Sequence, residues 1–375
     1  MRFLHTGDLH LDSAFCAYGA RDSQKQREAG RALLRRIFEC AKSEGCEMIL
    51  ISGDLFDGKF VSPETAELFC ALVENCGIPV VVSPGNHDFY FDGSFYAKAM
   101  KKLGDKLTVF TSPELQAFDF DDLGVSVLGY AFTSAALTQS PLMTQDVYED
   151  NGNVRILCAH ADMSSPTSRY APLSLGQIQK FGFAYSALGH IHNRAPAEDN
   201  EGKVRYCGFA QGRSFDEIGE GGVWIVDVDK DGTSAERRIL SEIAFYRLEI
   251  SLRGADEDVR QRLLDEIRAQ GYGAGSHLRI VLAGISQTKD RSELNTLAKD
   301  LKSELGVEYV EIEDETLPLL DGEYLERDTT LRGELYRTLK PRLLSDDADE
   351  RKNALKALQI GLAAIDGKNI FGFVE

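Results

Sequence analysis

The chain has 375 residues, 43% hydrophobic and 27% charged, the balance of an ordinary globular protein with room for two or three domains. No run approaches the roughly 18 apolar residues of a membrane span, and the opening "MRFLHTGDLHLD" meets polar residues by His5, so no signal-peptide apolar region is expected and a cytoplasmic protein without membrane contact is the default. A formal net charge of −18 argues against a phosphate-rich partner held by bulk charge.

The first 240 residues alternate strand-like and helix-like segments. "RFLHT" reads as a short apolar strand. Residues 22–44 read as a helix, with Ala29, Leu33, Ile37 and Ala41 at helical spacing and Gly45 where a C-cap belongs. The overlapping stretch 21–36 is locally basic. "EMILIS" is a buried strand. Ser62-Pro63 is an N-cap with Pro at the first helical position, opening a helix to about Asn75. "IPVVVS" is the next strand, and 94–103 is helical. "GVSVLGY", "VRILCAH" and "AYSALGH" are further strands, with a helix near 174–181. "VRYCGFA" is a strand, and the stretch after it a hairpin turned at Asp231-Gly232.

The pattern changes after about residue 240. Strand "FYRLEISL", helix 256–269, strand "HLRIVLAGI", helix 290–305 and strand "VEYVEI" give a βαβαβ order, a separate α/β unit over 241–328. Its last part, 308–328, carries nine carboxylates and one Arg. Residues 329–375 form a helical segment of two helices joined by "SDDADE", with apolar positions such as Leu331, Leu339, Leu355 and Leu362 that suit packing on the parent fold or docking on a partner. Seven Cys, an odd number without a C-x-x-C pair, fit reduced structural thiols in a reducing compartment.

Five polar clusters each follow an apolar strand: Asp8-Leu9-His10, Gly53-Asp54, Gly85-Asn86-His87-Asp88, His160, and Gly189-His190-Ile191-His192. Loops at the carboxyl ends of strands converge on one edge of an open α/β sheet. They would gather Asp8, His10, Asp54, Asn86, His160, His190 and His192. The i, i+2 pairs would point to one side if the backbone were extended. Two carboxylates, four imidazoles and one amide oxygen suit first-row divalent ions such as Mn²⁺, Fe²⁺ or Zn²⁺ better than Mg²⁺ or Ca²⁺. Seven ligands are too many for one such ion and enough for two, and a dinuclear site clamps the attacking and leaving oxygens of a displacement at phosphorus. Two carboxylates against two divalent ions leave the site net positive even in an acidic protein.

In this order "GDLH", "GDLFD", "GNHD", "CAHAD" and "GHIH" resemble the motifs of the calcineurin-like metallophosphoesterases. "FLHTGDLHLDSAF", "GDLFDGKFVSPET" and "QGRSFDEIGEGGV" are similar to bacterial DNA repair exonucleases of SbcD type, especially the YhaO-like branch. The resemblance covers residues 1–240 well and the α/β appendage more weakly. It implies an α/β fold, a four-layer metallophosphoesterase sandwich of two mixed β-sheets flanked by helices, with a nuclease domain over 1–240, a smaller α/β capping domain over 241–328 and C-terminal helices. It implies that Asp8, His10 and His192 hold one metal, that Asn86, His160 and His190 hold the other, and that Asp54 bridges. His87 would face the scissile phosphate as the catalytic acid, with Asp88 orienting it. The implied reaction is Mn²⁺-dependent hydrolysis of DNA. The implied partners are DNA, an SbcC-like coiled-coil ABC ATPase and a second copy in a homodimer.

Some residues keep two readings. Asp57 stands where some relatives carry His. Asp12 suits a cap or turn, His5 and His277 structural roles. Phe89, Tyr90 and Phe91 suit base stacking or the core, and Arg213 a phosphate or an ion pair with Asp216 or Glu217. Competing functions are a phosphodiesterase or phosphatase for small nucleotides or phosphoproteins, and a structural subunit of an ATPase assembly with a weakly active site.

Overall fold

The computed structural model describes residues 1–15, 20–144, 151–193, 201–230, 232–253, 258–286, 291–318 and 321–367. Cys16 and Asp231 lie outside them; the other six Cys are free thiols. The chain separates into two compact units, Met1–Ala244 and Phe245–Glu375.

The first unit runs β1 (Arg2–Thr6), α1 (Ala20–Ser43), β2 (Met48–Ile51), α2 (Pro63–Cys76), β3 (Val80–Val82), α3 (Phe95–Leu103), β4 (Leu107–Val109), β5 (Gln116–Phe120), β6 (Val125–Gly129), β7 (Val154–His160), α4 (Leu175–Phe181), β8 (Tyr185–Gly189), β9 (Val204–Tyr206), β10 (Gly222–Val228) and β11 (Thr233–Ile239). The strands form two sheets, in the orders β11-β10-β1-β2-β3-β4 and β5-β6-β7-β8-β9. Both are mixed: β1 to β4 and β6 to β9 run parallel, while β10, β11 and β5 pair antiparallel at the ends.

Alternation along the strands builds the layers. Phe3, Leu50 and Val81 of the first sheet meet Val127, Ile156 and Ala187 of the second in a shared, fully buried core. Leu4, Ile49 and Val80 face the other way, onto α1, α2 and α3. Leu128, Leu157 and Leu188 pack under α4. The result is the expected helix–sheet–sheet–helix sandwich. Ser62 caps α2 through its hydroxyl, and the chain leaves α2 through a left-handed Gly77.

The second unit runs β12 (Ala244–Arg253), α5 (Val259–Gln270), β13 (Ser276–Ser286), α6 (Arg291–Leu305), β14 (Tyr309–Asp314), β15 (Leu317–Pro318), α7 (Gly322–Arg327), α8 (Leu331–Leu343) and α9 (Ala348–Ile365). Its sheet has the order β12-β13-β14, with β15 paired to β13. Leu263, Ile267 and Leu301 cover the sheet. The C-terminal leucines pack on one another: Leu358 and Leu362 of α9 meet Leu325 of α7 and Leu335 and Leu339 of α8. Leu331 and Leu355 remain exposed.

Candidate metal centre

Each of the five polar clusters leaves the carboxyl end of a parallel strand: β1, β2, β3, β7 and β8. The pairing of β1 with β2 continues beyond the strands, with Asp8 N donating to Gly53 O (2.9 Å) and His10 N to Asp54 O (2.9 Å). That locks the first two loops together. The backbone there is not extended, as the i, i+2 argument required. Asp8, His10, Asp54 and His190 have φ of 49°, 43°, 46° and 106°. The side chains converge through left-handed residues, a sparsely populated conformation that surrounding structure must hold. Tight approach does the rest. A Cβ on Gly85 would lie 2.2 Å from Asp54 Oδ1, and one on Gly189 would lie 1.9 Å from Ser52 O.

Six of the seven expected residues bring side-chain atoms together here, and the ring of His190 lies beside them. Asp8, His10 and His192 bring ligand atoms within 4.8 Å of one another, as do Asp8, Asp54 and His160, and as do His10, Asp54 and His87. Asn86 Oδ1 lies 3.0 Å from His160 Nε2. His190 belongs to none of those triplets. Its backbone N–H donates to both Asp8 oxygens (3.1 and 2.9 Å), and its ring centroid is 5.1 Å from that of His160. Asp8, Asp54, His10 and His160 are buried.

The hydrogen bonds at the outer nitrogens test whether the pocket fits cations. His10 Nδ1 faces Asp57 Oδ1 at 2.9 Å, and His192 Nδ1 faces Glu217 Oε1 at 2.8 Å. Carboxylates accept only, so His10 Nδ1 carries hydrogen and, in the neutral ring, its Nε2 presents a lone pair. His192 Nδ1 has the donor Arg213 Nη2 beside it at 3.1 Å as well, and the shorter contact to Glu217 favours the same tautomer there. The two Nε2 atoms oppose each other at 3.2 Å. His160 repeats the pattern: Nδ1 donates to Ser52 O (3.0 Å), while Nε2 confronts Asn86 Oδ1 and, at 3.4 Å, Asp54 Oδ2. Acceptors turned inward repel unless a proton or a cation stands between them. The donor set and its outer hydrogen bonds therefore fit metal ions. Without metal, protons take that place. Burial disfavours a charged His160, but Asp54 outweighs it and raises the pKa to about 9. Metal binding would release such protons.

The structure corrects one assignment. Asp88 does not orient His87: its carboxylate accepts from Gly85 N (2.8 Å), Phe56 N (3.2 Å) and Tyr96 Oη (2.5 Å), and burial pushes its pKa up to about 6. Asp57 does the facing instead, with Oδ1 3.3 Å from His87 Nδ1. That hydrogen bond raises the His87 pKa. Burial works against the Asp57 charge, yet hydrogen bonds from His10 and then His87 hold its pKa below the carboxylate range.

Glu217 is a partner of His192 that the motifs do not announce. It is buried, binds Arg213 Nη2 at 2.6 Å, and its pKa stays at about 2 because the His192 and Arg213 hydrogen bonds outweigh burial. Arg213 is thus in the ion pair of its two readings. "QGRSFDE" is visible as a motif, but 25 residues of chain separate Glu217 from His192, and only the fold joins them. Cys207, a structural thiol by sequence, does more than fill space: its Sγ donates to Asp8 Oδ2 at 3.2 Å. Asp12 ties this loop to α2, accepting from Ser62 N and Thr65 Oγ1. His5 bridges Tyr185 Oη and Ser52 Oγ inside the core. Tyr90, partly buried, packs against the first sheet's cluster, and Phe89 against the second sheet's.

Buried carboxylates and imidazoles at the carboxyl edge of a two-sheet sandwich define a metallophosphoesterase. The family model for calcineurin-like phosphoesterase matches residues 1–194, and the chain belongs to that family, whose members hydrolyse phosphoesters and typically bind a dinuclear metal centre. It is 30% identical over 250 residues to the uncharacterized metallophosphoesterase YhaO of Bacillus subtilis, covering 63% of this chain and 59% of YhaO. It is 23% identical over 265 residues to the SbcD component of the nuclease SbcCD of Staphylococcus epidermidis, covering 62% of this chain and 67% of that protein. Among the described residues, no helix is long and apolar enough to cross a membrane.

Proposed function

We propose that the chain is an Mn²⁺-dependent DNA exonuclease of SbcD type with a role in DNA repair. Asp8, His10 and His192 would hold one ion, Asn86, His160 and His190 the other, and Asp54 would be shared between them. Fe²⁺ and Zn²⁺ suit the same nitrogen and oxygen donors. The observation that carries the reading is the convergence of inward-facing acceptors, His10 against His192 and His160 against Asn86 and Asp54. Two divalent ions bound there supply Lewis-acid activation of water and of the phosphoryl oxygens.

The chain's own groups do the remainder. His87 N–H donates to Asp54 Oδ1 at 2.9 Å and fixes that carboxylate. Asp57 engages His87 Nδ1, which leaves Nε2 of this half-exposed ring to hand a proton to the leaving oxygen. Phe132 packs its ring against His160, at 5.6 Å between centroids, and walls the buried side from water. DNA as substrate and a coiled-coil ABC ATPase as partner are supported by similarity to a component of the nuclease SbcCD; a homodimer is the form the resemblance implies.

Digestion of end-labelled linear DNA with Mn²⁺ tests this. Wild type should shorten the strand, Asp54→Asn should abolish cleavage, and His87→Ala should slow it by roughly 10²–10⁴-fold, the range for a positioned general acid. Equal digestion by His87→Ala would remove the acid role. Hydrolysis of a small chromogenic diester with no action on DNA would favour a small-substrate phosphodiesterase.

A further inference from the structure

Resting on the nuclease reading, we infer that Tyr170 is a nucleobase platform beside the metal centre, the place where a base adjoining the scissile phosphate stacks. Its ring lies against His190, with centroids 4.8 Å apart and planes inclined by 41°. One side of the ring thus belongs to the pocket wall. Just over a third of the residue's surface, 36%, stays exposed.

The backbone holds the ring there firmly. Asp162 N donates to Tyr170 O (2.9 Å), Leu137 N to Arg169 O (2.9 Å), Ala171 N to Leu137 O (2.6 Å) and Leu173 N to Asp162 O (3.0 Å). Ala171 takes φ of 49°, a left-handed conformation costly for a residue with a Cβ. A backbone fixed on two sides in this way keeps an aromatic surface at the rim without burying it. Single-stranded nucleic acid is held by such aromatic faces, because every base has a π-face whatever its sequence. A phosphoester without a ring would gain nothing from Tyr170.

The test compares single-stranded oligothymidylate with a fully abasic strand of the same length. Each is cleaved by wild type, Tyr170→Phe, Tyr170→Leu and Tyr170→Ala in Mn²⁺. Wild type and Tyr170→Phe should prefer the strand with bases by about 5-fold or more in kcat/KM, the low end of one stacking contact. Tyr170→Leu and Tyr170→Ala should lose the preference. A preference that survives in both would overturn the inference, even if both strands are cut more slowly, since the ring would then serve only to support His190. If wild type cuts a small chromogenic diester and neither strand, the nuclease reading falls and this one with it.

Discussion

Asp57 faces two imidazoles at once, one at the inner wall and one at the mouth of the pocket. A single carboxylate therefore sets the ring orientation of a candidate ligand and of the candidate acid. Asp57→Asn should weaken Mn²⁺ binding by about 10- to 100-fold, the usual loss when a partner behind a ligand is changed, and should lower kcat as well. Calorimetric titration with Mn²⁺ reads the first effect and DNA digestion the second. Unchanged affinity would show that His10 keeps its place without Asp57. His277, in the other unit, is a residue-scale contrast. It is buried beside Phe245 and Tyr309, and among the described residues neither ring nitrogen has a hydrogen-bond partner. Burial lowers its pKa to about 4, Glu308 opposing and Lys302 assisting. The unfolded chain, with an ordinary histidine pKa, binds more protons between about pH 6.5 and pH 4. Stability from this group is therefore present above that window and lost as pH falls through it. His277→Phe should remove about 2 kcal/mol of the loss between pH 7.5 and pH 5, measured by urea denaturation. An identical loss in the variant would place the acid sensitivity elsewhere.

At the scale of elements, the strand ends decide the geometry. Gly85 passes so close to Asp54 that a methyl group would meet both its carboxylate (2.2 Å) and its backbone nitrogen (2.7 Å). Gly85→Ala should cost at least roughly tenfold in Mn²⁺ affinity, the lower end of what a displaced ligand shell loses. Gly176→Ala, where nothing lies within 4 Å, should leave it unchanged and favour helix α4 slightly. Equal calorimetric titrations for the two variants would refute the crowding argument. The strand-then-cluster pattern makes these five loops legible in the sequence, since an apolar run followed by Gly and metal-binding side chains is a local signal. The α1 stripe and the Ser62 cap are legible for the same reason. Strands β4 and β5 are not: three residues, and five that mix Gln and Asp with Phe, give no clear period. Helix α7, at six residues, is shorter than any periodicity needs. Asp57 and Glu217 are hidden differently. A hydrogen bond to an imidazole leaves no trace in the chain beyond the residue type, so Asp88, nearer in sequence, looks the better partner for His87.

For the molecule as a whole, metal should act on one unit. A ligand that binds only the folded state stabilises it by about 2.7 kcal/mol at 100 times its Kd. Added Mn²⁺ should slow amide exchange at Asp8, His10 and His190, and chelation should reverse this. Amides of β12 to β14, in Phe245–Glu375, should exchange at the same rate with and without Mn²⁺. Slowing in both units alike would mean that the ion is sensed beyond Met1–Ala244. The acidic composition is no obstacle to a phosphate substrate in this scheme, because the charge that matters is local and arrives with the ions.

The facing imidazoles His10 and His192 are separated by 182 positions, and Glu217, which steadies the second, comes later still. A ribosome making this chain would have to deliver most of the first unit before the last candidate ligands emerge. Any activity that needs both rings would then wait until most of that unit had been made.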